Sequence, residues 1–80
     1  MDKRVYESVK SGKSDYNINY TDFQTLIINL GFDFKRQDGS HIIYRHNEYK
    51  INMNIQSDGG KAKAYQVRQL RNFIKKYGLK

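Results

Sequence analysis

The sequence predicts an α+β fold, a two-layer sandwich with helices on one face of a three-stranded antiparallel sheet. Three observations predict it. Two stretches carry apolar residues at helical spacing, Phe23-Leu26-Ile27-Leu30 and Val67-Leu70-Ile74-Tyr77. The chain between them alternates apolar and polar residues with the period of a half-buried strand, most clearly from Tyr49 to Gln56. Turn signals at Asp38-Gly39 and from His46 to Glu48 divide that region into a meander.

The elements follow in order. Asp2 to Ser11 predicts a short helix with Val5 and Val9 one turn apart, ending in the linker-like SGKSD. This N-terminal arm, residues 1–18, either docks on the domain of residues 19–80 or stands as an appendage. Thr21 to Gln24, TDFQ, has capping-box spacing and predicts the start of the next helix, which Gly31 stops. FDFKR is a first strand, with Phe32 and Phe34 on one face. Asp38-Gly39 is a hairpin signal because both residues tolerate positive φ. HIIYRH is β-branched and aromatic, a second strand. YKINMNIQ is the third, burying Tyr49, Ile51, Met53 and Ile55 and wetting Lys50, Asn52, Asn54 and Gln56. DGGKAK reads as a loop, and Tyr65 to Tyr77 as a last helix closed by Gly78. The core order α-β-β-β-α is that of double-stranded RNA-binding domains, an association with function and not yet an argument for one.

Composition narrows the function. Eighty residues form one small domain, which buries only about 60% of its unfolded surface. Without cysteine there is no disulfide, thiolate zinc site or thiol nucleophile. The absence of an 18-residue apolar run argues against a membrane span, and the first residues lack the apolar stretch of a secretory signal, so a cytoplasmic location is expected. A net charge of +7 suits nucleic acid, an anionic membrane surface or an acidic protein. Seven tyrosines and four phenylalanines offer stacking surfaces for bases, or simply fill a core without tryptophan.

The wet face of the sheet is where chemistry is expected. If Phe32, Phe34, Ile42 and Tyr44 face inward, the outward set is Lys35, His41, Ile43, Arg45, Lys50, Asn52 and Asn54; Ile42 and Ile43 are equally apolar, so the pattern leaves the facing of the second strand open. That set places cations and amides around a histidine, the side chain whose ordinary titration lies nearest neutral pH. RNA cleavage needs a proton taken from a 2′-hydroxyl, a proton given to the leaving oxygen, and cations on the phosphorane. Histidine, lysine and arginine meet those needs. A strand histidine is, by residue type alone, more often a plain surface residue. His41 and His46 are five apart, so if one strand runs through both they point to opposite faces and make a poor metal pair, and the acidic residues are scattered singly. Asp58 to Gly60 is a loop that offers amides to a phosphate. Arg68, Arg71 and Lys75, preceded by Lys61 and Lys63, form either a phosphate-binding edge or a solvated basic helix face.

These residues carry a resemblance. Gly31 to His46, GFDFKRQDGSHIIYRH, resembles the signature of HicA toxins of type II toxin–antitoxin systems, in which a helix ends in Gly-Phe and a strand and basic turn lead to Gly-Ser-His. Asp58 to Leu79, DGGKAKAYQVRQLRNFIKKYGL, resembles the C-terminal part of a longer-form subgroup, and the resemblance spans about residues 19–79. It implies a double-stranded RNA-binding fold, ribosome-independent cleavage of mRNA, catalysis by the motif histidine, here His41, and inhibition by a HicB-type antitoxin that covers the site. Ile42 stands where the family often has a second histidine, leaving Lys35, Tyr44 or a substrate group as the second proton carrier. Ala64 stands where the subgroup often has proline.

The resulting expectation is a metal-independent, cofactor-free endoribonuclease, or mRNA interferase, working within an oligomeric toxin–antitoxin complex. His41 acts as base or acid, and Gly39 and Ser40 set the turn that presents it. Lys35, Arg36 and Arg45 bind phosphate, with Lys61, Lys63, Arg68 and Arg71 extending the RNA track. The rival readings are a non-catalytic RNA binder of the same fold and a protein-interaction module with a basic face.

Overall fold

The computed structural model describes residues 3–80. Helix α1 spans Lys3–Ser11 and α2 Tyr20–Asn29; Asp2, which the first helix was expected to include, lies outside the described residues. Strands β1 (Phe32–Asp38), β2 (His41–His46) and β3 (Ile51–Ile55) form an antiparallel sheet in that order. A small hairpin, β4 (Ser57–Asp58) with β5 (Lys61–Ala62), precedes α3 (Ala64–Tyr77).

Both predicted apolar stripes face the core, with Tyr77 at the end of the second only half-buried. Phe23, Leu26, Ile27 and Leu30 of α2 meet Val67, Leu70 and Ile74 of α3 and Phe32, Tyr44, Met53 and Ile55 of the sheet in one core. Each large apolar side chain so buried contributes about 1.5–3 kcal/mol. Contacts pair α2 with β1 and α3 with β3, while α1 touches both helices. The N-terminal segment is docked: Val9 is fully buried in the same core, and Tyr6 donates its hydroxyl to the Leu79 carbonyl at 2.7 Å.

Several local expectations give way to longer-range contacts. The N-cap of α2 is Asn19, whose Oδ1 accepts from the Asp22 amide at 3.0 Å, so Thr21 lies inside the helix and caps nothing. The helix starts early because the β4–β5 hairpin pins it there. The Tyr20 amide donates to the Gly60 carbonyl and the Ala62 amide to Ile18. That hairpin replaces the expected loop, with positive φ at both Gly59 and Gly60, the pattern of a type I′ turn. The third strand begins at Ile51, since Lys50 adopts φ 57° in the preceding turn and so does not join the wet face of the strand.

The first strand departs most. Phe34 pairs with Tyr44 and Arg36 with Ile43, which leaves Lys35 as the extra residue of a β-bulge. Directly opposed residues of an antiparallel pair share a face. Beyond the bulge, Arg36 and Asp38 therefore lie on the face of Ile43 and His41, where simple alternation would have put them under the helices. Phe34 keeps an edge-on contact with Tyr44 at 6.2 Å, but on an edge strand beyond the core it is 60% exposed and is not a core residue.

Candidate active site on the open sheet face

The hairpin before His41 is built around Gly39-Ser40, because Asp38 and His41 pair directly. Gly39 alone has positive φ, 61°, which matches a type II′ turn with glycine first; Asp38 does not use the left-handed region. Side chains from both flanks hold the turn. Gln37 Nε2 donates to the Gly39 carbonyl at 3.0 Å, and Gln56 Nε2 donates to Ser40 Oγ at 2.7 Å. His41 is thereby fixed as the first residue of β2.

Across the strand pair, His41 Nδ1 meets Asn54 Oδ1 at 3.0 Å. An amide oxygen only accepts, so Nδ1 carries the proton and the neutral ring keeps its lone pair on Nε2. Arg45 Nη1 donates to Asn52 Oδ1 at 3.2 Å, which steadies the guanidinium on the same face. Between them Ile43 is only 6% exposed although it lies outside the core, with Arg36 and Asn54 opposite it in the two neighbouring strands. Arg36 Nε pairs with Asp38 at 2.9 Å, an exposed contact worth about 0–1 kcal/mol. Lys35 is exposed at the bulge.

The other histidine has a different setting. His46 is 6% exposed, edge-on to Phe32 at 5.2 Å and tilted over Tyr49 at 5.0 Å, with no partner for Nδ1 among the described residues. Tyr44 is likewise on the helix side, 4% exposed, with Gln24 Nε2 against its hydroxyl at 3.4 Å. It is therefore withdrawn as a second proton carrier for His41. Among the described residues no group of three His, Cys, Asp or Glu side chains comes together to hold a metal ion.

The basic residues beyond the sheet divide. Lys61, Lys63 and Arg68 line one shallow groove. Arg71 does not join them. Its guanidinium makes a bidentate pair with Asp15, both contacts at 2.9 Å, and also donates to the Val9 carbonyl at 3.1 Å. The two side chains are 14% and 11% exposed. The guanidinium, first through its hydrogen bonds and then through its charge, holds the Asp15 carboxyl below the usual range against the opposing effect of burial. Arg71 fastens the N-terminal segment to α3, so its expected place on an RNA track is corrected. Of the loop amides expected to face a phosphate, that of Gly60 is used internally, donating to Ser57 Oγ at 3.1 Å.

Sequence reasoning missed Gln66, which is 1% exposed. Its Oε1 accepts from the Gln56 amide at 3.2 Å, and its Nε2 donates to the Tyr65 hydroxyl at 3.3 Å. The available signal was a glutamine one turn before the core residue Leu70.

An antiparallel sheet with two helices on one face, in the order α2-β1-β2-β3-α3, defines a double-stranded RNA-binding-like domain. Its uncovered face carries a histidine, arginines and amides. Residues 20–79 match the family model described as the HicA toxin of bacterial toxin–antitoxin systems, and the chain belongs to that family. Neither the curated proteins nor the solved structures contain a match. Membership implies a ribonuclease toxin with an antitoxin partner and an RNA target. The matched span begins with α2 and leaves out α1 and the segment that follows it. No helix among the described residues is long and apolar enough to cross a membrane.

Proposed function

We propose that the protein is a cytoplasmic, metal-independent endoribonuclease that cleaves single-stranded mRNA with His41 at the reacting atoms, and that a HicB-type antitoxin silences it by covering the open sheet face in an oligomeric complex. The observation that carries this reading is the His41–Asn54 pair at the head of β2, which leaves the basic lone pair on Nε2. Nε2 takes the proton of a ribose 2′-hydroxyl, and that oxygen attacks the adjacent phosphorus. The 5′-oxygen leaves with a proton from Lys35 or from a group of the substrate, giving a cyclic phosphate and a new 5′-hydroxyl. A positioned base of this kind supplies about 10²–10⁴-fold.

Charge gathers on the phosphorane oxygens, and Arg45 balances it; its hydrogen bond to Asn52 on the same face supports that role. Arg36 exchanges an exposed carboxylate for phosphate at little cost. Gly39 and Ser40 act as the turn that presents the histidine, and Lys61, Lys63 and Arg68 extend the phosphate track.

The test is cleavage of a long unstructured RNA by purified protein in EDTA, with His41→Ala in parallel. The parent should cut and the variant should not. Cutting by both would remove His41 from the chemistry. Binding without cutting by either would make the protein a non-catalytic RNA binder.

A further inference from the structure

We propose that the groove between the α1–α2 connection and the start of α3 is a nucleobase subsite for single-stranded RNA, with Tyr16 and Tyr65 as its stacking surfaces. The inference rests on the reading of the protein as a ribonuclease and gives the substrate a second point of attachment. Of the seven tyrosines, five are buried or half-buried. The two exposed ones, Tyr16 at 81% and Tyr65 at 55%, line the same groove of about 410 Å³. That volume lies within the range of small-ligand sites.

The charge of the groove selects the ligand. Lys61, Lys63 and Arg68 line it with the two rings, against the single carboxylate of Asp58. Cations beside exposed π faces suit a base with its flanking phosphates. An acidic peptide would engage the cations and leave the rings unused.

Both residues sit on chain that is tied to the fold. Tyr16 follows Asp15, whose bidentate pair with Arg71 fixes that stretch of chain to α3. Tyr65 is tied toward the active site through a relay. Its hydroxyl accepts from Gln66, Gln66 accepts from the Gln56 amide, and the Gln56 side chain donates to Ser40 beside His41. Tyr16 also lies outside the span matched by the family model, so the N-terminal segment supplies half of the subsite.

The experiment uses the full chain carrying His41→Ala, so that RNA is bound and not cut. Anisotropy of a labelled oligouridylate is compared with that of the same backbone lacking bases. Tyr16→Ala and Tyr65→Ala should each weaken oligouridylate binding about 5–150-fold, the value of one base–aromatic stack, and leave binding of the abasic strand unchanged. Tyr65→Phe should retain affinity. Lys63→Ala and Arg68→Ala should weaken both ligands alike and flatten the salt dependence. Tyrosine variants that bind oligouridylate like the parent overturn the subsite, even while His41-dependent cleavage stands. If neither the parent nor His41→Ala cuts RNA yet base-dependent binding at the tyrosines persists, the ribonuclease reading falls and the subsite remains.

Discussion

The two histidines occupy the two ends of one six-residue strand, and the molecule uses them in opposite ways. His41 is half-exposed on the uncovered sheet face, with a single amide partner that sets its tautomer. His46 is buried on the helix side, wedged among Phe32, Tyr49 and the backbone of Gly31, with Nδ1 unpaired among the described residues. Strand alternation sends residues five apart to opposite faces, so identity of residue type says nothing about role. What decides the role is which face the helices cover.

The largest effect that would break this comparison is on catalysis. His41→Ala should lower RNA cleavage about 10²–10⁴-fold while leaving the thermal midpoint close to that of the parent. His46→Ala should do the reverse, removing about 2–3 kcal/mol of stability by opening a cavity and sparing cleavage per folded molecule at low temperature. A denaturant titration beside a cleavage assay reads both, and equal stability losses would end the distinction.

Next in size is the ion pair that fastens the N-terminal segment. Removing one partner of so buried a pair costs about 3 kcal/mol, so Asp15→Ala should unfold at clearly lower denaturant. The depressed Asp15 carboxyl fixes the sign with pH. Its contribution is fully present at neutral pH, where the carboxyl is ionised in both folded and unfolded chains. It is lost as pH falls below the ordinary carboxylate value and through the lower folded one. Asp15→Asn should flatten that part of the acid limb, whereas His41→Ala should leave it in place.

Gly31→Ala probes the buried end directly. A β-carbon there would lie 2.8 Å from His46 Nε2, at a φ of 102° that side chains rarely adopt. The expected loss is about 2 kcal/mol, measured by denaturant midpoint, and His46→Ala in the same chain should relieve part of it. The smallest effect sharpens the open end. Asn54→Ala removes one hydrogen bond and should slow cleavage about tenfold, because the Nδ1 proton and the ring orientation are no longer held. Unchanged cleavage would show that Asn54 does not position the ring.

Much of this arrangement is legible in the sequence. The stripes Phe23-Leu26-Ile27-Leu30 and Val67-Leu70-Ile74 show the covering helices, and the alternation of Asn52 and Asn54 with Met53 and Ile55 shows the two faces of β3. Asn52 and Asn54 follow from that alternation, whereas the pairing of β2 with its neighbours decided the facing of His41 and Arg45, and the four come together as two hydrogen-bonded pairs. The face of Arg36 was not legible, because one unpaired residue at Lys35 reverses the parity of everything after it. Arg71 looked like part of a basic stripe because its partner Asp15 lies 56 residues away.

By itself the sequence determined what depends on local periodicity: two amphipathic helices and a three-stranded meander. Those patterns are imposed by the geometry of each backbone element, so they are written within a few neighbouring residues. It also determined the family, through the run from Gly31 to His46. Only the tertiary structure decided that Asn19 caps α2, that Asp58 to Lys61 turn as a hairpin, that Arg71 serves the fold, and that Tyr16 and Tyr65 share a groove. Each of these depends on groups brought together from distant parts of the chain, and no local pattern records which distant residue will arrive.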